Sequence, residues 1–131
     1  RIDGFKKALE GHPEVKIVAE QTGITRAEAL AAAQNMLQAN PDIDGIFGFG
    51  DDAALAAAVA VKSAGLQDKV KVIMQEARDA VDNDPVMVGV IRQYPDQMGK
   101  KAVETAVAVM KGETVPAQQP IEPGVYTGKA Q

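Results

Sequence analysis

The chain has 131 residues, 46% of them apolar and 24% charged, which suits one domain-sized unit that buries about two thirds of its unfolded surface and excludes long-range disorder. It contains no cysteine, so disulfides, a thiol nucleophile and an iron–sulfur cluster are ruled out and the redox compartment cannot be read. A formal charge of −4 without a basic stripe argues against nucleic acid or an anionic membrane surface as partner and fits an uncharged or cationic small ligand.

Ile2 to Leu9 reads as a short helix with Phe5 and Leu9 four residues apart on one face, stopped by Gly11 and His12-Pro13. Val15 to Ala19 alternates and is rich in β-branched residues, which predicts a strand ended by Gln21-Thr22-Gly23. Thr25 with Glu28 three residues later forms a capping box, and Leu30, Ala33 and Leu37 mark the apolar face of a helix running to about Ala39. After Asn40-Pro41-Asp42, the nearly continuous apolar run Ile43 to Phe49 predicts a strand buried on both faces of a parallel sheet.

Gly50, Asp51 and Asp52 then open an Ala-rich helix to about Ala64, closed by Gly65 in a left-handed conformation. Its nine-residue apolar run, Ala53 to Val61, falls far short of the roughly 20 residues a membrane span needs. Val70 to Met74 and Val86 to Ile91 predict further strands, with a helical turn at Arg78 to Val81 between them. Pro95 starts a helix in which Val103, Ala106, Val107 and Met110 recur at helical spacing until Gly112. Val115 to Gln131, with three prolines, reads as an irregular crossing segment containing a short strand.

Helices and strands alternate, which predicts an α/β fold: a parallel sheet with helices on both faces, Rossmann-like and three-layered. Ligands of such sheets sit at the carboxyl ends of strands. The residues expected to converge there are Gln21 to Ile24, Phe49 to Asp52, Gln75 to Arg78 and Arg92 to Tyr94.

Catalytic signals are thin. Ser63 and His12 are the single serine and the single histidine, both near helix ends away from that edge, so a serine triad is not expected and His12 reads as an exposed loop residue. A zinc site would need three carboxylates, and no metal or other cofactor is expected. Asp51 and Asp52 are adjacent and point in different directions, so they suit helix capping, with or without a ligand contact, better than acid–base catalysis. The competing motif is Gly48-Phe49-Gly50-Asp51-Asp52-Ala53, which matches the dinucleotide fingerprint between a strand and a helix, with Glu76 placed to hold a ribose. Two carboxylates at the helix start would oppose a pyrophosphate there.

Several ordered pieces carry a resemblance: Arg1-x-x-Gly4-Phe5, Gln34-Asn35-Met36-Leu37 leading to Pro41-Asp42-Ile43, Ile46-Phe47-x-x-x-Asp51-x-x-Ala54-Leu55, Ala64-Gly65, and Gln93-x-Pro95-x-x-Met98-Gly99. Together they resemble the periplasmic sugar-binding proteins of the ribose and galactose class, a fold shared by the effector domains of lactose-repressor-like regulators. The resemblance implies two α/β lobes joined by three crossings. Residues 1–93 then correspond to a second-lobe core without its first strand, 94–117 to a crossing and a helix of the other lobe, and 118–131 to the returning crossing. No leader segment precedes Arg1, which suggests either a cytoplasmic protein or a missing beginning, and the resemblance favours the latter.

The resemblance further implies a non-enzymatic solute-binding component of an ATP-driven sugar importer, periplasmic, monomeric when complete, with a sugar-like ligand and a membrane permease as partners. A regulator's effector domain and a dinucleotide-binding enzyme are the alternatives. Arg1 matches a family arginine that hydrogen-bonds sugar hydroxyls, and Gln93 a family glutamine at the crossing. Gly50 replaces the usual Asn before Asp51, Gln75-Glu76 replaces an aromatic followed by Asp, and Ile24 stands where Phe often packs on the sugar. The expected ligand residues are therefore Arg1, Gly50, Asp51, Glu76 and Gln93, for a ligand other than ribose or a site of reduced affinity. The stretch from Glu76 to Gln93 is shorter than the family spacing, which predicts a remodelled loop.

Overall fold

The computed structural model describes residues 2–75 and 78–128. In chain order the elements are α1 (Ile2–Leu9), α2 (Arg26–Ala39), β1 (Gly45–Gly48), α3 (Asp51–Ser63), β2 (Lys71–Gln75), α4 (Arg78–Asn83), β3 (Met87–Arg92), α5 (Pro95–Met110) and β4 (Gly124–Tyr126). The sheet order is β1-β2-β3-β4. β1, β2 and β3 pair in parallel, and β4 joins β3 antiparallel with Ile91 opposite Val125, so the sheet is mixed where the sequence predicted a parallel one.

The pleat divides the sheet residues between two faces. Gly48 meets α3 at Ala54, while its neighbour Phe47 points the other way and stacks on Phe5 of α1, with ring centroids 4.7 Å apart and 7° between planes. Helices thus cover both faces, as predicted. The core lies on the α3 side, where Val61, Val70, Val72, Met74, Val86 and Val90 are fully buried among the alanines of α3, and α2 packs along α3. Small side chains on α3 let helix and sheet approach closely, and the valines supply most of the buried volume.

The opposite face is thinly covered, which corrects the expectation of strands buried on both sides. Phe47, Ile73 and Gly89 are ladder neighbours on that face, and Ile73 is 45% exposed. α1 covers only the Phe47 end. No residue of α5 is buried either; Val103 is 65%, Val107 44% and Met110 87% exposed. Among the described residues no helix is long and apolar enough to cross a membrane.

The strand predicted at Val15 to Ala19 does not form. β-branched content favours a strand only where a neighbour supplies the ladder, and β1, the edge strand, pairs with β2 alone. The segment is held at its ends instead, by Val15 N–H donating to the His12 carbonyl at 2.9 Å and by Lys6 pairing with Glu20 at 2.6 Å. Val15, Ile17 and Val18 remain 50%, 43% and 56% exposed. β1 itself is shorter than the predicted Ile43 to Phe49, because Ile43 N–H closes a turn onto the Asn40 carbonyl at 3.2 Å. His12 is exposed as expected and lies 3.1 Å from Glu14.

The predicted capping box at the start of α2 is complete. Glu28 N–H donates to Thr25 Oγ1 at 3.2 Å, and Thr25 and Ile24 N–H each donate to Glu28 Oε2 at 2.9 Å. The Thr25 backbone N–H, then that of Ile24 and the Thr25 hydroxyl, hold the Glu28 carboxyl below its ordinary value of 4.5. A lowered folded-state value means the stabilisation is fully present above that ordinary value and is lost as pH falls through the folded one. Thr25→Ala should cost about 1 kcal/mol. Glu28→Gln should lower the urea midpoint near neutrality, with the gap to the parent closing as acid protonates Glu28; a gap independent of pH would contradict this assignment.

Candidate functional site

β1, β2 and β3 run parallel, so Gly48, Gln75 and Arg92 end at one edge of the sheet. Leaving that edge, the chain turns through Gly50 at φ 96°, a value that L side chains rarely adopt. The Ala54 N–H then donates to the Gly50 carbonyl at 3.1 Å. Gly50, not an aspartate, is the N-cap, and it makes no side-chain capping bond. This corrects the capping role expected for Asp51 and Asp52, which stand exposed in the first turn of α3. Carboxylates there suit the helix dipole. The fingerprint glycines have local causes as well: Gly48 permits strand–helix contact and Gly50 the turn.

Beside this edge lies a cleft of about 1190 Å³, larger than the ~300–1,000 Å³ of an enclosed small-ligand pocket. Its walls come from Gly4, Phe5 and Ala8 of α1, from Phe47, Gln75 and Ile91 on the sheet, from Gln93 and Tyr94 of the crossing, from one side of α5, and from the returning segment between Val115 and Pro123. The Phe5–Phe47 stack gives it an apolar floor. Tyr94 lies against Gly124, where a Cβ would come within 3.0 Å of its Cζ, and the Arg92 guanidinium sits 5.6 Å from the Tyr94 ring centre. Thr105 Oγ1 and Gln119 Oε1, 3.1 Å apart, join α5 to the returning segment.

Gln75 is the buried polar residue of this wall. It is 7% exposed, and among the described residues no buried side-chain nitrogen or oxygen is left without a hydrogen-bond partner. Ile91 is its ladder partner, and Gln93 lies two residues further along the same chain. The two amides therefore line one cavity.

Of the five residues expected from the sequence, Gln93 lies in the cleft, while Gly50 and Asp51 stand at the neighbouring strand end outside its lining. Arg1 and Glu76 fall outside the described residues. Ile24 is 88% exposed and also outside the lining. The sequence reading missed Gln75 as a polar wall residue, treating it only as a lost ring. It also missed the aromatic floor, because nothing in the sequence pairs Phe5 with Phe47.

A model described as periplasmic binding protein domain matches residues 1–114. The chain belongs to the periplasmic binding protein domain family. The ribose import binding protein RbsB of Escherichia coli is 36% identical over 124 residues, which are 93% of this chain and 42% of that protein. Among solved structures, the solute-binding protein of Actinobacillus succinogenes with bound D-allose is 33% identical, with a TM-score of 0.85 over 93% of this chain and 45% of that one. The glucose-galactose binding protein GanP of Geobacillus stearothermophilus is 25% identical, with a TM-score of 0.87 over 96% and 46%. The chain thus spans less than half the length of these family members, and the named relatives are binding proteins.

Proposed function

We propose that this chain is the greater part of the second lobe of a periplasmic solute-binding protein that delivers a sugar or sugar-like ligand to the permease of an ATP-driven importer, without catalysing a reaction. The observation that carries this reading is the cleft at the carboxyl ends of the parallel strands, whose lining combines the glutamines Gln75, Gln93 and Gln119 with an aromatic floor. Amides donate and accept, as sugar hydroxyls do, and apolar rings suit the C–H faces of a sugar. The family resemblance adds Arg1 and Glu76 as further contacts, with Gly50 and Asp51 at the rim of the same edge.

On this reading residues 1–93 form the lobe core, 94–117 a crossing and a helix that packs on the other lobe, and 118–131 the returning crossing. The cleft is wide because it is one jaw of a two-lobed site, and closure of the second jaw expels water and completes the binding surface. The free flank of β1 and the unladdered apolar stretch Val15 to Ala19 are the places for a strand from the rest of the polypeptide.

Melting of the intact protein with D-ribose, D-allose, D-galactose and NAD tests the reading. A sugar present at a hundred times its dissociation constant should stabilise the protein by about 2.7 kcal/mol. Stabilisation by NAD alone would reverse it in favour of the dinucleotide motif.

A further inference from the structure

The returning segment changes character at Gly124. Before it, the chain walls the cleft and is joined to α5, a helix with no buried residue, by the Thr105–Gln119 pair. From Gly124 onward it is held by the sheet, with Gly124, Val125 and Tyr126 opposite Arg92, Ile91 and Val90. Tyr126 shares the core side of the sheet with the fully buried Val90, and its hydroxyl donates to Asp82 Oδ1 of α4 at 2.7 Å. Gly128 then passes the same helix, where a Cβ would lie 3.6 Å from Val81 Cγ1. A strand of three residues is a weak attachment by itself, so the hydroxyl–carboxylate bond matters to it. Neither Tyr126 nor Asp82 lines the cleft. Between the two attachments the chain reads Pro120-Ile121-Glu122-Pro123. Each proline fixes its own φ and restricts the residue before it, so Ile121 keeps most of the freedom to bend.

We propose that the Tyr126–Asp82 bond anchors a stiff pivot at Pro120-Ile121-Glu122-Pro123, and that these two positioning residues set the affinity for every ligand although they touch none. This rests on the two-lobed sugar-binding reading and names residues that govern its closure. With the anchor in place, bending is confined to a short proline-bounded stretch and the jaws meet along one path. Without it β4 peels from β3, the pivot lengthens, and fewer molecules stand ready for productive closure. Apparent affinity falls in proportion to that population. The loss is therefore the same factor for each sugar, whereas a residue that touches the ligand discriminates among them.

The test titrates the intact protein calorimetrically with D-ribose, D-allose, D-galactose and single-deoxy analogues of whichever binds most tightly. Tyr126→Phe and Asp82→Ala should each weaken all the ligands that bind by one common factor, about 3-fold to 10-fold. The double variant should be no weaker than either single one. Asp82→Asn, whose amide oxygen still accepts from the hydroxyl, should recover most of the parent affinity. Amide exchange of β4 in the unliganded protein should quicken in Tyr126→Phe and Asp82→Ala. Affinities unchanged in Tyr126→Phe, whatever its melting temperature, or losses that differ from sugar to sugar, overturn the anchor and leave the sugar reading intact. A parent protein that binds none of the sugars overturns both.

Discussion

Replacing Gly48 with valine is expected to remove most of the stability of the chain. A Cβ at position 48 would run into Cα and Cβ of Ala54 and lie 2.7 Å from its backbone nitrogen. These atoms belong to α3, and Ala54 is fully buried. Nothing flexible can yield, so the helix must lift from β1 and open the valine core beneath it. Overpacking a core costs typically about 1–3 kcal/mol and more where backbone is displaced, against a total of about 5–15 kcal/mol for a domain. Gly48→Ala should already lower the urea midpoint clearly, and Gly48→Val should leave little cooperative unfolding. Gly4→Ala is the control, because its Cβ meets nothing within 4 Å and helix propensity favours Ala by up to about 1 kcal/mol. A Gly48→Ala variant as stable as its parent would show that the β1–α3 contact is looser than described.

The second large effect depends on context. Val103, Val107 and Met110 follow one another at helical spacing on α5 and are all exposed in this chain. If α5 packs on a second lobe, each side chain would contribute about 1.5–3 kcal/mol there and almost nothing in the 131-residue chain. Val107→Asp should therefore change the stability of the isolated chain by less than about 0.5 kcal/mol, yet cost about 2 kcal/mol or more in the intact protein. Equal small effects in both, measured by urea denaturation, would contradict the assignment of α5 to another lobe.

Local signals were the legible part of this sequence. The capping box at Thr25 and Glu28, Pro95 at the start of α5, and the helix stops at Gly65 and Gly112, with φ of 70° and 80°, are decided within a few residues by backbone hydrogen bonding and steric freedom. The family was legible for a related reason, since its motifs sit at strand ends and turns where residue type is tightly constrained. Strand formation was not decided locally. Val15 to Ala19 has the composition of a strand and no ladder, whereas Gly124–Tyr126 has little strand character and gains one from β3.

The site was half legible. Topology alone sent attention to the strand ends, and Gln93 lies in the cleft found there. Gln75 became visible only through its burial in the cleft wall, and the Phe5–Phe47 floor only through a contact between residues 42 positions apart.

The most direct test of the sugar-binding account is a crystal structure of the intact protein grown with the sugar that stabilises it most. The account predicts that sugar hydroxyls lie within hydrogen-bond distance of the Gln93 amide, at the carboxyl ends of β2 and β3. A sugar bound at the opposite edge, near Asp44 and Leu66, would contradict it.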